Sequence, residues 1–159
     1  VTGITHVTGL AQVRLPAADM TDLQVEEVLQ QLSAAGISID LISLSPGEKM
    51  FTIAGKEAEK ARDVIRKLGV KASVEEGFAK VTLVGTGMRG VPGVMARMLS
   101  ALNKAETTVM QTADSHLSIS CLIPEKDVAK AVRALHNEFS GEKTKDGGGD
   151  ELQQEKSEN

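Results

Sequence analysis

Apolar residues recur at helical spacing in four separate segments of this 159-residue chain. Each segment carries apolar side chains at positions i, i+3, i+4 and i+7, which is the spacing of an amphipathic helix. The four sets are Val25, Val28, Leu29, Leu32; Ala61, Val64, Ile65, Leu68; Met95, Met98, Leu99, Leu102; and Val128, Ala131, Val132, Leu135. Apolar stretches of strand length lie before and between these sets, so the pattern predicts four helices separated by strands.

The predicted elements occur twice in the same order. Leu10–Leu15 matches Phe78–Leu83 at an offset of 68 residues, Ser38–Ser45 matches Thr108–Ser115 at 70, and Met50–Ala54 matches Leu117–Cys121 at 67. The first and third helices start 70 residues apart, and the second and fourth start 67 apart. Repetition at a fixed period indicates one supersecondary unit used twice. The unit is strand, helix, strand, strand, helix.

A closing strand would complete the βαββαβ pattern of a ferredoxin-like domain, an α+β fold with two helices on one face of a four-stranded antiparallel sheet. In the first unit this strand is Lys71–Glu76. The second unit has no comparable strand after its last helix, whereas Val1–Val7 precedes the first unit and has no role in it. We therefore predict that a first domain, residues 9–76, is inserted into a second domain made of residues 1–7 and 78–139.

Composition and charge exclude several classes of function. Residues 141–159 are acidic, rich in glycine and poor in apolar side chains, which predicts a disordered acidic tail. The rest of the chain is close to neutral and has almost no aromatic residues, which argues against a nucleic-acid partner. No apolar run approaches the roughly 20 residues of a membrane span, and the lone Cys121 excludes an internal disulfide. A soluble cytoplasmic protein is the expectation.

A glycine-rich loop precedes the third predicted helix. It reads Gly85, Thr86, Gly87, Met88, Arg89, Gly90, Val91, Pro92, Gly93 and contains a literal G-x-G-x-x-G. A dinucleotide-binding fingerprint needs several further strand–helix units, and only two strands and one helix follow the helix that this loop opens. The loop is either an anion site, in which free N–H groups of the helix start hold a carboxylate, or a turn in which glycine supplies positive φ.

The loop before the first helix and the strand after it carry three acids of interest. Asp19 and Asp22 flank Met20 and Thr21, and they would lie near the ammonium group of a ligand bound at the helix start. N-capping by Thr21 or Asp22 explains the same residues without a ligand. Asp40 stands among uncharged strand positions, either as a ligand group or as a solvent-facing side chain.

The turn between the two strands of the second unit reads Thr112, Ala113, Asp114, Ser115, His116. An Asp, a Ser and a His so close along a hairpin cannot adopt the geometry of a catalytic triad, so turn chemistry is the alternative. The sequence contains no recognisable phosphate loop with its Lys and magnesium-binding acid, and no metal-ligand set. The chain is expected to be non-catalytic and to need no metal or cofactor.

Several segments together resemble the C-terminal regulatory region of bacterial aspartate kinases. They are Val1–His6, Ile39–Asp40, Ala79–Met88, Gly90–Val94 and Ala134–Phe139. In that family the region is a tandem of ACT domains, ferredoxin-like modules that bind amino acids, and some members also make it separately as a β subunit beside the full-length α subunit. The resemblance spans residues 1 to 139 and implies a feedback-sensing region, without the kinase domain that phosphorylates aspartate with ATP.

The resemblance also implies a site where ACT domains of two chains meet. Residues 17–23 with Ile39 and Asp40 would form one wall, and Thr112–His116 would be the counterpart. The sequence departs from many relatives in having Ala18–Thr21 in place of Asp-x-Pro-Gly, and Ser115-His116 in place of Ser-x-Glu. The Ala-Asp-Ser-His turn is similar to that of Bacillus-type kinases, whose family effector is meso-diaminopimelate. Lysine and threonine remain open as effectors.

The implied partners are an amino-acid effector, a second copy of the chain bound through the ACT domains, and a catalytic α subunit or kinase domain. The alternative is a free-standing ferredoxin-like module that only dimerises and binds no ligand.

Overall fold

The computed structural model describes residues 1–85 and 92–140, which form six strands and four helices. In chain order they are β1 (Gly3–Leu15), α1 (Asp22–Ala34), β2 (Asp40–Ser45), β3 (Glu48–Ala54), α2 (Ala58–Lys67), β4 (Ser73–Val84), α3 (Val94–Lys104), β5 (Gln111–Asp114), β6 (Ser118–Pro124) and α4 (Val128–Phe139). All strand pairs are antiparallel. The predicted α+β class with an antiparallel sheet is confirmed. No helix in the described ranges is long and apolar enough to cross a membrane.

The six strands form one sheet in the order β2-β3-β1-β4-β6-β5. The sequence predicts two four-stranded sheets, whereas β1 and β4 each run without interruption through both halves of the molecule. The Gly3–Val7 part of β1 pairs with Lys80–Val84 of β4, and the Leu10–Leu15 part pairs with β3. We call residues 10–78 the first half and residues 3–7 with the part of the chain after 78 the second half.

Two glycine bulges mark the passage from one half to the other. Between the pairs Val7↔Lys80 and Leu10↔Phe78, β1 contains one residue more than β4. Beyond Leu10↔Phe78, toward the first half, β4 contains one residue more than β1. Gly9 has φ 68° and Gly77 has φ 90°, the left-handed conformation that suits glycine in a bulge. A bulge bends its strand, so the sheet changes direction here. The sequence prediction places strand ends at these glycines, where the structure has only one extra residue in each strand.

Each half has its own apolar core between the sheet and two helices. In the first half α1 and α2 cover β1 and β3, and the buried side chains include Ala11, Val13, Phe51, Ile53, Val28, Leu32, Ala61 and Ile65. In the second half α3 and α4 cover β4 and β6, and the buried side chains include Val81, Leu83, Cys121, Ile123, Met98, Leu102, Ala131 and Leu135. Successive strand residues point to opposite faces, so the intervening positions form a helix-free face in each half.

The helix-free faces of the two halves pack against each other. Gln12 of β1 donates a hydrogen bond from Nε2 to Oε1 of Gln111 in β5 (3.1 Å), although two strands separate β1 from β5 in the sheet. Beside this contact Leu41 of the first half packs with Phe78 and Leu122. We call this contact zone the seam. The apolar cluster of the seam is small, and buried polar side chains form the rest of this contact. Both outer cores, in contrast, are apolar.

The predicted offset of 67 residues for the second strand–helix pair is wrong. Ala54 lies opposite Leu10 and Pro124 lies opposite Phe78, and α2 and α4 begin at Ala58 and Val128, so β3–α2 and β6–α4 are related by 70 residues. A helix with apolar residues at i, i+3, i+4 and i+7 partly matches itself after a shift of three, which explains the error. The shift also reverses the two faces of the strand.

Candidate functional site

The loop before α1 is a well-formed helix start. Thr21 is the N-cap: its Oγ1 accepts a hydrogen bond from the N–H of Gln24 (3.2 Å), and its own N–H donates to Oε1 of Gln24 (2.8 Å). This capping box satisfies two N–H groups at the helix start. Asp22 is the first helical residue, and Asp19 ends a single 3-10 turn, Ala17–Asp19. Both carboxylates are exposed, while Met20 packs partly against the first core.

Asp40 forms an ion pair that crosses the seam. Its Oδ2 accepts a hydrogen bond from Nζ of Lys80, a β4 residue of the second half, at 2.7 Å. The Lys80 bond is the main cause that holds the pKa of Asp40 below its ordinary value, and a hydrogen bond from the Leu41 backbone acts in the same direction against the opposing effect of partial burial. Asp40 is therefore a carboxylate at neutral pH. Its side chain is 63% exposed and that of Lys80 is 23% exposed.

The sequence pattern does not point to Lys80. The one feature of the sequence that relates Lys80 to the seam is the internal repeat: Lys80 occupies the position in FAKVTL that Gln12 occupies in LAQVRL. Both residues are polar members of a strand whose alternate residues are buried under helices, and both reach across the seam. Lys80 of the second repeat meets the acid Asp40 of the first repeat. Gln12 of the first repeat does not meet an acid in this way, because the second repeat has Met110 at the position equivalent to Asp40.

A buried network of glutamine side chains lies next to the Asp40–Lys80 pair. Nε2 of Gln111 donates to the carbonyl oxygen of Leu41 and to Oγ of Ser43 (3.1 Å), while its Oε1 accepts from Gln12. Leu41 has φ 47° and lies where the register between β2 and β3 shifts, so its carbonyl group leaves the ladder and becomes available to Gln111. Arg14 Nε in turn donates to Gln12 Oε1 (3.1 Å). Sequence reasoning missed this network.

The segment 112–116 contributes the end of β5 and the following hairpin turn. Thr112, Ala113 and Asp114 belong to β5, and Ala113 packs against the apolar cluster of the seam. The turn closes with a hydrogen bond from the N–H of Ser115 to the carbonyl of Ser118 (2.8 Å) and a contact between their hydroxyl groups (2.9 Å). The predicted hairpin turn is therefore present. His116 is exposed at the turn.

An open groove of about 660 Å³ runs along α1 beside the β2–β3 hairpin. It is lined by Asp22, Val25, Glu26, Leu29, Gln30, Ser33, Ala34, Leu44 and Lys49. Asp22 is the one predicted site residue in this lining. Within residues 1–85 and 92–140, no hydrogen bond or ion pair joins the Asp19–Asp22 loop to Asp40 or to the 112–116 segment. Ile39 lies partly buried against the first core.

The glycine-rich loop of the second half is only partly described. Gly87, Met88, Arg89, Gly90 and Val91 lie outside the described residues, as does the predicted disordered tail 141–159. Pro92 and Gly93 precede α3, and Gly93 is its N-cap with φ 84° and no side-chain cap bond. Across the described part of the chain, no group of three or more His, Cys, Asp or Glu side chains is arranged to hold a metal ion.

Comparison with known proteins gives a consistent set of similarities. A family model for the ACT domain matches residues 81–139. Aspartokinase 1 of Bacillus subtilis is 39% identical over 139 residues, which cover 87% of this chain and 34% of the relative. The aspartokinase of Corynebacterium glutamicum is 29% identical over 150 residues, which cover 87% of this chain and 36% of the relative.

The fold is also similar to a solved structure of comparable length. The ligand-free regulatory subunit of aspartate kinase from Thermus thermophilus superposes with a TM-score of 0.81 at 29% sequence identity, covering 87% of this chain and 97% of that chain. In contrast, the chain spans only about a third of the length of the curated relatives it matches.

Proposed function

We propose that this chain, which carries an ACT domain over residues 81–139 and is similar to bacterial aspartate kinases along 87% of its length, senses an amino acid and thereby regulates an aspartate kinase. The observation that carries the proposal is the match to the Thermus thermophilus regulatory subunit, because it covers 97% of that chain. The catalytic α subunit or kinase domain that phosphorylates aspartate is then a partner of this chain.

We infer further that the first half is a second ACT domain, inserted into the one that the family model matches. Two observations support this. In the first half the strand order is β2, β3, residues 10–15 and residues 73–78. In the second half it is β5, β6, residues 78–84 and residues 3–7, so both halves have the same arrangement. Each half also has two helices packed on one face over its own core.

The effector is an end-product amino acid, with meso-diaminopimelate, lysine and threonine as the candidates. Asp40 supports the binding of an ammonium group, since it is ionised at neutral pH and more than half exposed. The equivalent residue of the second repeat is Met110, so this electrostatic contribution belongs to the first repeat. The start of α1, where N–H groups remain after capping by Thr21, suits a carboxylate.

A second copy of the chain completes the site in this proposal. Strand β2 lies at the edge of the sheet, and Ile42 and Leu44 on it are 50% and 45% exposed. An exposed strand edge with apolar side chains favours association with another chain. Because the Asp19–Asp22 loop and the 112–116 segment have no polar contact within one chain, the partner's second half is the natural source of the opposite wall.

Isothermal titration of the full-length chain with each of the three amino acids tests the proposal. We expect one of them to bind, and we expect Asp40→Ala to weaken this binding without unfolding the protein, because the variant loses the carboxylate that faces the ammonium group. Asp63→Ala is the matched control, since Asp63 is an exposed acid on α2 that pairs with Arg66 of the same helix. No heat change with any of the three at millimolar concentration, together with a dimer that dissociates on dilution, would favour the ligand-free dimerisation module instead.

A further inference from the structure

Lys80 already occupies the position that the proposed effector needs. Its ammonium group lies 2.7 Å from Oδ2 of Asp40, the distance of a direct charge-assisted hydrogen bond. Asp40 also receives a hydrogen bond from the Leu41 backbone. The carboxylate that would attract an ammonium group is therefore already paired with an internal one.

The ion pair is also a link between the two halves. Asp40 begins β2 at the edge of the first half, and Lys80 lies on β4 in the second half. The glutamine network continues the same contact zone, and among the described residues the apolar part of the seam has three buried members, Leu41, Phe78 and Leu122. A contact that depends on so few apolar groups is one in which the loss of a single ion pair has a noticeable effect.

We propose that Lys80 is an internal competitor of the effector: the ammonium group of the bound amino acid replaces the Lys80 ammonium on Asp40. This inference rests on the proposed function. The exchange leaves the charge on Asp40 balanced, so its electrostatic cost is small, while it removes one direct link across the seam. Binding at the first half is thereby coupled to the way the two halves pack, since the state that keeps the Asp40–Lys80 link and the state that binds the amino acid exclude each other.

The affinity of Lys80 variants distinguishes competition from a merely structural role. Lys80→Met keeps the length of the side chain and removes its charge, so the effector no longer has to displace it. We expect the dissociation constant for whichever of meso-diaminopimelate, lysine or threonine binds the wild-type chain to fall by about two- to fivefold, the range set by an exposed ion pair. Lys80→Arg retains the competing charge and should bind close to the wild-type value.

The control is Lys60→Met, which removes one positive charge from the exposed face of α2 and should leave the dissociation constant unchanged. A double-mutant cycle between Asp40→Asn and Lys80→Met, measured by urea unfolding without ligand, tests the ion pair independently of any effector.

The possible outcomes separate the proposed competition by Lys80 from the proposed sensor function on which it rests. Tighter binding by Lys80→Met but not by Lys60→Met supports displacement. Unchanged or weaker binding by Lys80→Met, with a wild-type chain that binds, overturns the competition and leaves the sensor function intact. If the wild-type chain binds none of the three amino acids, both fall together, whatever the double-mutant cycle shows.

Discussion

Substitution of the two buried glutamines of the seam should reveal how strongly their hydrogen bonds hold the halves together. Gln12 is 1% exposed and Gln111 is 7% exposed, and a hydrogen bond from Gln12 Nε2 to Gln111 Oε1 joins them. Gln111→Leu leaves the NH2 group of Gln12 with a contact to the sulfur of Met50 in place of its bond to an oxygen, although Gln12 Oε1 keeps its bond from Arg14. It also leaves the Leu41 carbonyl without its side-chain donor. A buried polar group left unpaired costs about 1–3 kcal/mol, so we expect each single variant to lose about 2 kcal/mol of unfolding free energy.

The double variant Gln12→Leu/Gln111→Leu should cost less than the sum of the single variants, by about 1–2 kcal/mol, because it removes both partners and leaves fewer polar groups unpaired. Urea unfolding followed by far-ultraviolet circular dichroism is the appropriate assay, since the chain contains no Trp or Tyr for intrinsic fluorescence. Gln31→Leu, on the exposed face of α1, is the control and should change stability by less than about 0.5 kcal/mol. Additive losses from the two single variants, within about 0.5 kcal/mol, would show that the glutamines do not act as a pair.

Three further predictions concern the bulges, the thiol and the ion pair. Gly77→Ala should lower the unfolding free energy by about 1–2 kcal/mol, because alanine at φ 90° is strained although there is room for its Cβ, whereas Gly3→Ala should have little effect in the same urea titration. Burial raises the pKa of Cys121 to about 12, so iodoacetamide at pH 8 should modify it, as read by mass spectrometry, only after urea unfolds the chain; rapid alkylation of the native protein would contradict this. Since the folded-state pKa of Asp40 is lowered, the stability that its pair with Lys80 contributes is present at neutral pH and is lost as the pH falls below about 4. The difference in stability between the wild-type chain and Asp40→Asn, at most about 1 kcal/mol for so exposed a pair, should therefore disappear between pH 6 and pH 3, and a constant difference would contradict the assignment.

The local features of the fold were predictable because they depend on neighbouring residues. The apolar periodicity locates all four helices, and the threonine followed three residues later by glutamine at Thr21 is a helix-start signal that the structure confirms. The strand limits are less well predicted: β2 begins at Asp40 and β5 at Gln111, two and three residues later than the apolar pattern suggests. At both places the edge strand leaves its partner, and a pattern of side chains contains no information on which backbone groups pair.

Features that depend on the packing of one half against the other were not predictable. Asp40 and Lys80 are 40 residues apart, and Gln12 and Gln111 are 99 apart, so their contacts require the sheet to fold back on itself. That folding depends on glycine bulges, which a sequence pattern cannot distinguish from ordinary strand ends. The candidate effector residues illustrate the same limit: among the described residues no hydrogen bond or ion pair joins the Asp19–Asp22 loop to the 112–116 segment, and the proposed site takes them from two chains.

The paired bulges at Gly9 and Gly77 restrict how the molecule can rearrange. They flank a single pair of opposed residues, Leu10↔Phe78, and both strands that connect the halves pass through this rung. Because both connections bend at the same rung, we expect the relative motion of the halves to be mainly a rotation about an axis through it. Glu125 further restrains this axis, since its carboxylate accepts the N–H of Gly9 at 3.0 Å. We therefore expect a signal that passes from one half to the other to change mainly the opening angle of the seam.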